Sequence, residues 1–226
     1  MNSTTYLMLG VMSGTSLDGV DLAYVRFTKT QNWEYELLAC ETVAYDEDWV
    51  ARLRDAVAFS KDELVDLDRE YTAYLAQLIQ DFSARNPLKH IDAIASHGHT
   101  ILHQPAKGLT YQIGNRSELA RLCEKLVVCD FRVQDVALGG QGAPLVPIGD
   151  KILFSDYRYC LNLGGFANIS EKQGDEILAY DICAVNTVLN HYTRQLGKEY
   201  DDKGRIAAGG VLNKELLHQL NNLQFY

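Results

Sequence analysis

Positive charge is scarce in this sequence. Its 226 residues include 21 Lys and Arg against 30 Asp and Glu, a formal charge of -9. A nucleic-acid backbone is held by a clustered positive field, so nucleic acid is not the expected partner. Long apolar runs are missing too: nothing approaches the roughly 18 consecutive apolar residues of a membrane span. The opening Met1-Asn2-Ser3-Thr4-Thr5 has neither the basic stretch nor the apolar core of an export signal. A cytoplasmic globular protein without a membrane partner is expected. The five cysteines (Cys40, Cys123, Cys129, Cys160, Cys183) are odd in number and form no C-x-x-C pair, which argues against a disulfide framework or a zinc cluster and for small buried hydrophobes. Two nucleotide signatures are also absent. No G-x-x-x-x-G-K-[ST] loop and no G-x-G-x-x-G occurs, so any phosphate chemistry is carried by another device.

What is present reads as an α/β chain. Apolar density around Tyr6–Leu9 and Val20–Phe27, on either side of a Gly/Ser/Thr turn, predicts a β-hairpin, with a third strand over about 35–45. Helices follow over about 48–59 and 62–84, the second opening on a capping box of Ser60 and Glu63. Leu64, Leu67, Tyr71, Leu75, Leu78 and Phe82 recur at helical spacing and predict one face packed on a sheet. Beyond Pro87 come a strand at 91–96, an exposed His/Gly turn, short strands near Ile101 and Tyr111, a helix at 117–125 and a strand at 126–129. Strands alternating with helices argue for α/β architecture. Gly139-Gly140-Gln141-Gly142-Ala143-Pro144 marks a junction between residues 1–140 and 141–226. A second hairpin is expected after it, from Tyr159–Leu163 and 167–171 around Gly164-Gly165, then a strand at 177–180 and helices at 184–196 and 213–223.

Three segments carry candidate chemistry. In Gly14-Thr15-Ser16-Leu17-Asp18-Gly19, glycines let backbone N–H groups turn toward an anion while the two hydroxyls donate to phosphate oxygens. Asp18 and Asp21 sit beside a phosphate only with a hydrated Mg2+ between them. The same residues make an ordinary hairpin turn, so the second glycine turn, Gly164-Gly165, matters: two turns, one in each half, could clamp the phosphates of a nucleotide. Asp181, at the end of an apolar strand, reads either as a helix N-cap or as a general base. His97, His99 and His103 invite a metal reading, with His97 and His99 on one face of an extended segment. They serve equally as hydrogen bonders to a polar ligand such as a sugar. Arg132 suits a bidentate pair with a carboxylate, in a surface salt bridge or a site.

Together these stretches resemble the anhydro-N-acetylmuramic acid kinases of bacterial peptidoglycan recycling. The likeness rests on Gly10 to Asp21, Ser96-His97-Gly98-His99-Thr100, Asp130-Phe131-Arg132, Gly139 to Pro147, Asn162 to Ile169 and Asp201-Asp202-Lys203-Gly204, in family order. The resemblance implies an actin/hexokinase-like ATPase fold with mixed sheets flanked by helices. It implies an N-terminal ATPase domain with a sugar-binding face at 1–140, and the start of an incomplete second domain at 141–226. It implies that ATP with Mg2+ phosphorylates O6 of 1,6-anhydro-N-acetylmuramic acid while water opens the anhydro bond, giving N-acetylmuramic acid 6-phosphate. Carried over by position, Gly14, Thr15, Ser16, Leu17, Asp18, Gly19, Val20 and Asp21 form the ATP phosphate site. Asp181 is the base that activates water, and His97 and Arg132 lie near the sugar. The metal ligands are left unassigned.

The sequence departs from the family pattern in two places. Asp-Thr-Gly-Pro-Gly-Asn is replaced by Asp181-Ile182-Cys183-Ala184-Val185-Asn186, and the Gln of Ser-His-Gly-Gln-Thr by His99. Family members also continue well beyond Phe225-Tyr226. The alternative expectation is therefore a catalytically impaired or non-catalytic sugar-binding homologue without a complete ATP site, whose exposed apolar surface a homodimer would cover. A metal enzyme or hydrolase built on the three histidines is a third.

Overall fold

The structure is a computed structural model that describes residues 3–88 and 90–224; Phe225-Tyr226 lie outside the described residues. It begins with the expected hairpin, β1 (Thr4–Ser13) and β2 (Val20–Lys29), antiparallel with Ser13 opposite Val20. β3 (Trp33–Val43) adds to β2 in the same sense. Helix α1 (Glu47–Asp55) runs through a 3-10 turn into α2 (Lys61–Arg85). The Ser60 hydroxyl accepts the Glu63 N–H while the Glu63 carboxylate accepts the Ser60 N–H, so the capping box forms as read.

The chain then lays β4 (Ala93–Ser96) parallel to β1, with Met8 opposite Ala93. β5 (His99–Gln104) and β6 (Leu109–Ile113) form a separate antiparallel pair. After α3 (Glu118–Cys123), β7 (Val127–Val128) joins β4 in parallel. The result is a mixed five-stranded sheet of order β3-β2-β1-β4-β7. Leu9, Val11, Val20, Leu22 and Tyr24 on one of its faces meet Leu67, Tyr71, Leu75, Ile79 and Phe82 of α2, all buried. The helical spacing of Leu64 to Phe82 thus becomes the wall of the core.

Two helices follow that the pattern did not announce, α4 (Phe131–Ala137) and α5 (Val146–Leu153). β8 (Tyr159–Leu163), β9 (Phe166–Gln173) and β10 (Glu176–Ala184) make a three-stranded sheet of order β10-β9-β8. α6 (Asn186–Gln195), α7 (Arg205–Ala208) and α8 (Lys214–Asn221) complete the chain. Two compact units result: Met1–Leu161 with Ile169–Tyr180, and Asn162–Asn168 with Asp181–Tyr226. These divisions differ from the junction expected at 140/141.

Three local expectations are corrected. The cysteines are free, but none is buried: Cys40 is exposed and the other four are partly exposed. Cys40 sits on the edge strand β3, where packing covers little. The 97–99 segment is not an exposed turn, since Gly98 and His99 are buried. Asp181 is neither a strand end nor an N-cap, because β10 continues to Ala184 and Val185 precedes α6.

Candidate functional site

β1, β4 and β7 run parallel, so their C-terminal ends, at Ser13, Ser96 and Val128, share one edge of the sheet. In open α/β sheets ligands collect outside that edge, where loops leave the strands together. Three such departures meet here: the loop Gly14–Gly19, the turn at His97-Gly98, and the residues that lead into α4 and Arg132.

The loop after β1 is tight. The Leu17 N–H donates to the Gly14 carbonyl at 3.3 Å, and Leu17 is left-handed with φ of 60°. Gly19 packs against the end of β3 so closely that a Cβ there would lie 2.3 Å from the Val43 carbonyl oxygen; no side chain fits. Thr15, Ser16 and Asp18 are exposed. The Ser16 hydroxyl donates to Asp18 Oδ1 at 2.7 Å, which ties one expected phosphate donor to the carboxylate beside it. Val20 gives its side chain to the core, and Asp21 accepts the Thr42 hydroxyl at 2.5 Å.

His97 is held from every side. Its N–H donates to the Val11 carbonyl at 3.0 Å, and Asn115 Nδ2 donates to its carbonyl at 3.2 Å. Arg132 Nε–H donates to ring Nε2 at 2.9 Å, which leaves Nδ1–H to donate to the Gly98 carbonyl at 2.9 Å. This is the neutral ring. Burial, then the Arg132 charge, holds its pKa below the usual 6.5. Gly98, with φ of +69°, turns the chain so sharply that a Cβ would meet the Ile113 carbonyl at 2.5 Å. His97 and His99 consequently do not share a face: the first meets Arg132, and the second, 2 % exposed, meets Ser13. Among the described residues no group of three or more His, Cys, Asp or Glu is placed to hold a metal ion.

Arg132 is half-buried, and its partners are His97 and the Gly142 carbonyl, which accepts Nη1–H at 2.7 Å. Gly142 is left-handed, its N–H donating to Asp135 Oδ2 at 2.6 Å, so the glycine-rich segment wraps onto α4. No carboxylate lies within ion-pair distance of Arg132 among the described residues. A guanidinium carries five N–H donors and two are used here, so the remainder, on a partly desolvated cation, suit a planar anion. Arg132 suits a carboxylate, and the described residues supply none.

Asn115 was not anticipated. Its Nδ2 also donates to Asp130 Oδ1 at 3.1 Å, joining the turn after β4 to the start of α4. Gly114-Asn115 directly after an apolar strand was the available signal. Asp68 on α2 anchors this corner by accepting the Gly114 N–H at 2.7 Å.

In the other unit, the Gly164-Gly165 turn is laced to the start of α6. Val185 N–H donates to the Gly165 carbonyl at 2.8 Å, and Asn186 Nδ2 to the Leu163 carbonyl at 3.1 Å. A Cβ on Gly165 would stand 2.9 Å from the Thr187 hydroxyl. Asp181 is exposed on β10; its carboxylate has no hydrogen-bond partner among the described residues.

The family model for anhydro-N-acetylmuramic acid kinase matches residues 6–226. The chain is 38% identical over 231 residues to the anhydro-N-acetylmuramic acid kinase of Pseudomonas savastanoi pv. phaseolicola, covering 98% of this chain and 62% of that protein. It is 41% identical over 224 residues to the kinase of that name from Pseudomonas putida, covering 95% and 61%. The enzyme of Rhodopseudomonas palustris is 36% identical over 237 residues, covering 96% and 64%. The chain therefore spans about 62% of the length of the curated relatives it matches.

Proposed function

This chain belongs to the anhydro-N-acetylmuramic acid kinase family, and from that premise we propose that it carries the sugar and phosphate face of an ATP-dependent kinase acting on 1,6-anhydro-N-acetylmuramic acid. Its mixed sheet flanked by helices is consistent with the actin/hexokinase-like fold of such kinases. Residues 1–140 are assigned to the N-terminal domain of that fold and 141–226 to the start of the second.

The observation that carries the reading is Arg132. A half-buried guanidinium without a carboxylate partner, fixed by the His97 ring at the carboxyl edge of the parallel strands, is built for an anionic ligand. The lactyl carboxylate of a muramic acid supplies that anion. His97, both ring nitrogens engaged, holds that guanidinium in place beside the sugar.

In the first unit, Gly14, Thr15, Ser16, Leu17, Asp18, Gly19, Val20 and Asp21 are proposed as contacts to the ATP phosphates; in the second, Gly164 and Gly165 are proposed separately as nucleotide-binding residues. The exposed Thr15 and Ser16 hydroxyls and the exposed Asp18 carboxylate are the donor set expected next to phosphates carrying Mg2+, which is bound through one or two carboxylates plus the phosphates themselves. The ion would neutralise phosphate charge. Asp181, an exposed carboxylate without an internal partner, takes a proton from water as that water attacks C1. The C1–O6 bond breaks, and O6 takes the γ-phosphoryl group as ADP leaves. One carboxylate suffices, because phosphorus and not a general acid captures the departing oxygen.

No helix among the described residues is long and apolar enough to cross a membrane; a cytoplasmic location and a homodimer complete the proposal. A coupled ADP-release assay with ATP, Mg2+ and 1,6-anhydro-N-acetylmuramic acid tests it on this chain and on Asp181→Asn. Turnover is expected, with a loss of about 10²- to 10⁴-fold in the variant, the range for removing a general base. Sugar binding by calorimetry without turnover would instead favour a non-catalytic sugar-binding protein.

A further inference from the structure

Four polar side chains from four parts of the first unit meet inside its core. Ser13 ends β1, Tyr45 precedes α1, Tyr71 lies mid-way along α2 and His99 opens β5. Ser13 Oγ lies 2.6 Å from the Tyr45 hydroxyl and 2.7 Å from His99 Nδ1, and the Tyr45 and Tyr71 hydroxyls are hydrogen-bonded to each other. Ser13 and His99 are each 2 % exposed and Tyr71 is fully buried. The Tyr71 ring stands edge-on to the imidazole, with centroids 6.0 Å apart.

The direction of the chain of hydrogen bonds depends on the tautomer of His99. With the proton on Nδ1, every hydroxyl points toward Tyr71, and the Tyr71 O–H ends the chain. With the proton on Nε2, Tyr71 donates to Tyr45, Tyr45 to Ser13, and Ser13 to Nδ1, and the Nε2–H ends it. In both directions the relay meets the imidazole through the bond between Ser13 and Nδ1.

Ser13 is the residue from which the loop Gly14–Gly19 departs, and His99 is separated by Gly98 alone from His97. We propose that His99 is a positioning residue: by its hydrogen bond with the Ser13 hydroxyl it fixes both the root of the glycine loop and the turn that presents His97, so that phosphate and sugar contacts are set by one buried hydrogen bond. The proposal rests on the kinase reading for what those two segments bind, and on the bond geometry alone for how they are held.

Hydrogen exchange and calorimetry on the full chain test it, using His99→Leu, His99→Gln and Ser13→Ala. His99→Leu keeps an apolar filling but removes the partner of the Ser13 hydroxyl. Amide exchange at 14–19 and 97–98 should rise about tenfold, the equivalent of one ordinary hydrogen bond, while α2 amides remain as slow as in the parent. Affinity for the Mg2+ complex of adenylyl imidodiphosphate should fall by about the same factor. His99→Gln, whose amide can meet the Ser13 hydroxyl as donor or acceptor, should restore both. Unchanged exchange at 14–19 in His99→Leu, or an equal rise throughout the unit, overturns the proposal. If His99→Leu does not fold, Ser13→Ala gives the same answer with one atom removed. If the parent chain shows no turnover, the kinase reading fails while the exchange result still decides the role of His99.

Discussion

The two compact units differ in how their functional side chains are held. In the first, the core extends from Leu9 to Leu119, and the candidate residues hang from it by directed bonds: His97 through Val11, Asn115 and Arg132, and the loop root through Ser13. In the second, Ala167 and Thr193 are the buried residues among those described. The amphipathic helices α6 and α8 leave Leu189, Tyr192, Leu216 and Leu220 about half exposed. Its glycine turn is fastened largely through backbone groups, and Asp181 stands alone. Arg132 and His97 are thus pre-oriented by hydrogen bonds, which restrict their rotamers. Asp181 has a strand to stand on and, among the described residues, no side chain hydrogen-bonded to aim it.

The sharpest way to break this comparison is to remove a wall of the better core. Phe82→Ala, at a fully buried position on α2, should cost about 3–5 kcal/mol in urea denaturation. A cost near 1 kcal/mol would mean that the first unit is no better packed than the second.

Acid probes the same core through His99, whose pKa is lowered to about 4 by burial and then by neighbouring His97. The native ring stays neutral while the unfolded one takes a proton below about 6.5. Stability is therefore lost as pH falls from about 6.5 to about 4, by on the order of 3 kcal/mol. His97, lowered in the same direction, adds to the slope. Denaturation midpoints measured across that window should steepen with acid in the parent and flatten in His99→Gln.

The smallest effect is expected where the second unit is most open. Leu216→Ser on α8 should change stability by no more than about 0.5 kcal/mol, as for surface positions generally. A concentration-dependent loss well above that, in thermal unfolding, would show that this helix is covered in solution by a second copy, and the contrast between the units would close.

Much of the first unit was legible from local patterns. The capping box at Ser60 and the stripe from Leu64 to Phe82 are properties of consecutive residues, and both appear as read. α4 was missed because it opens on a left-handed Asp130 without a cap bond, and α5 because Gly149 interrupts its apolar run. Pro147 in its first turn was the overlooked signal. Asp181 was misplaced because the length of a strand depends on its neighbour in the sheet, here β9, and not on its own composition. The fate of His99 could not be read at all, since its partner Ser13 is 86 positions away. His97 and Arg132 were singled out from the sequence, but the bond between them belongs to the fold.

The parallel pairing of β1 with β4 has a consequence in time. β1 to β3 form a meander of neighbours that can close as soon as residue 43 has been made, whereas the other side of β1 must wait for Ala93–Ser96. During synthesis, while the whole of α1 and α2 is still being added, β1 keeps one row of backbone groups unpaired, a template open to other nascent chains. The strand whose end carries Ser13 and the glycine loop is thus among the first to be built, yet it is sealed only once the chain has reached Ser96.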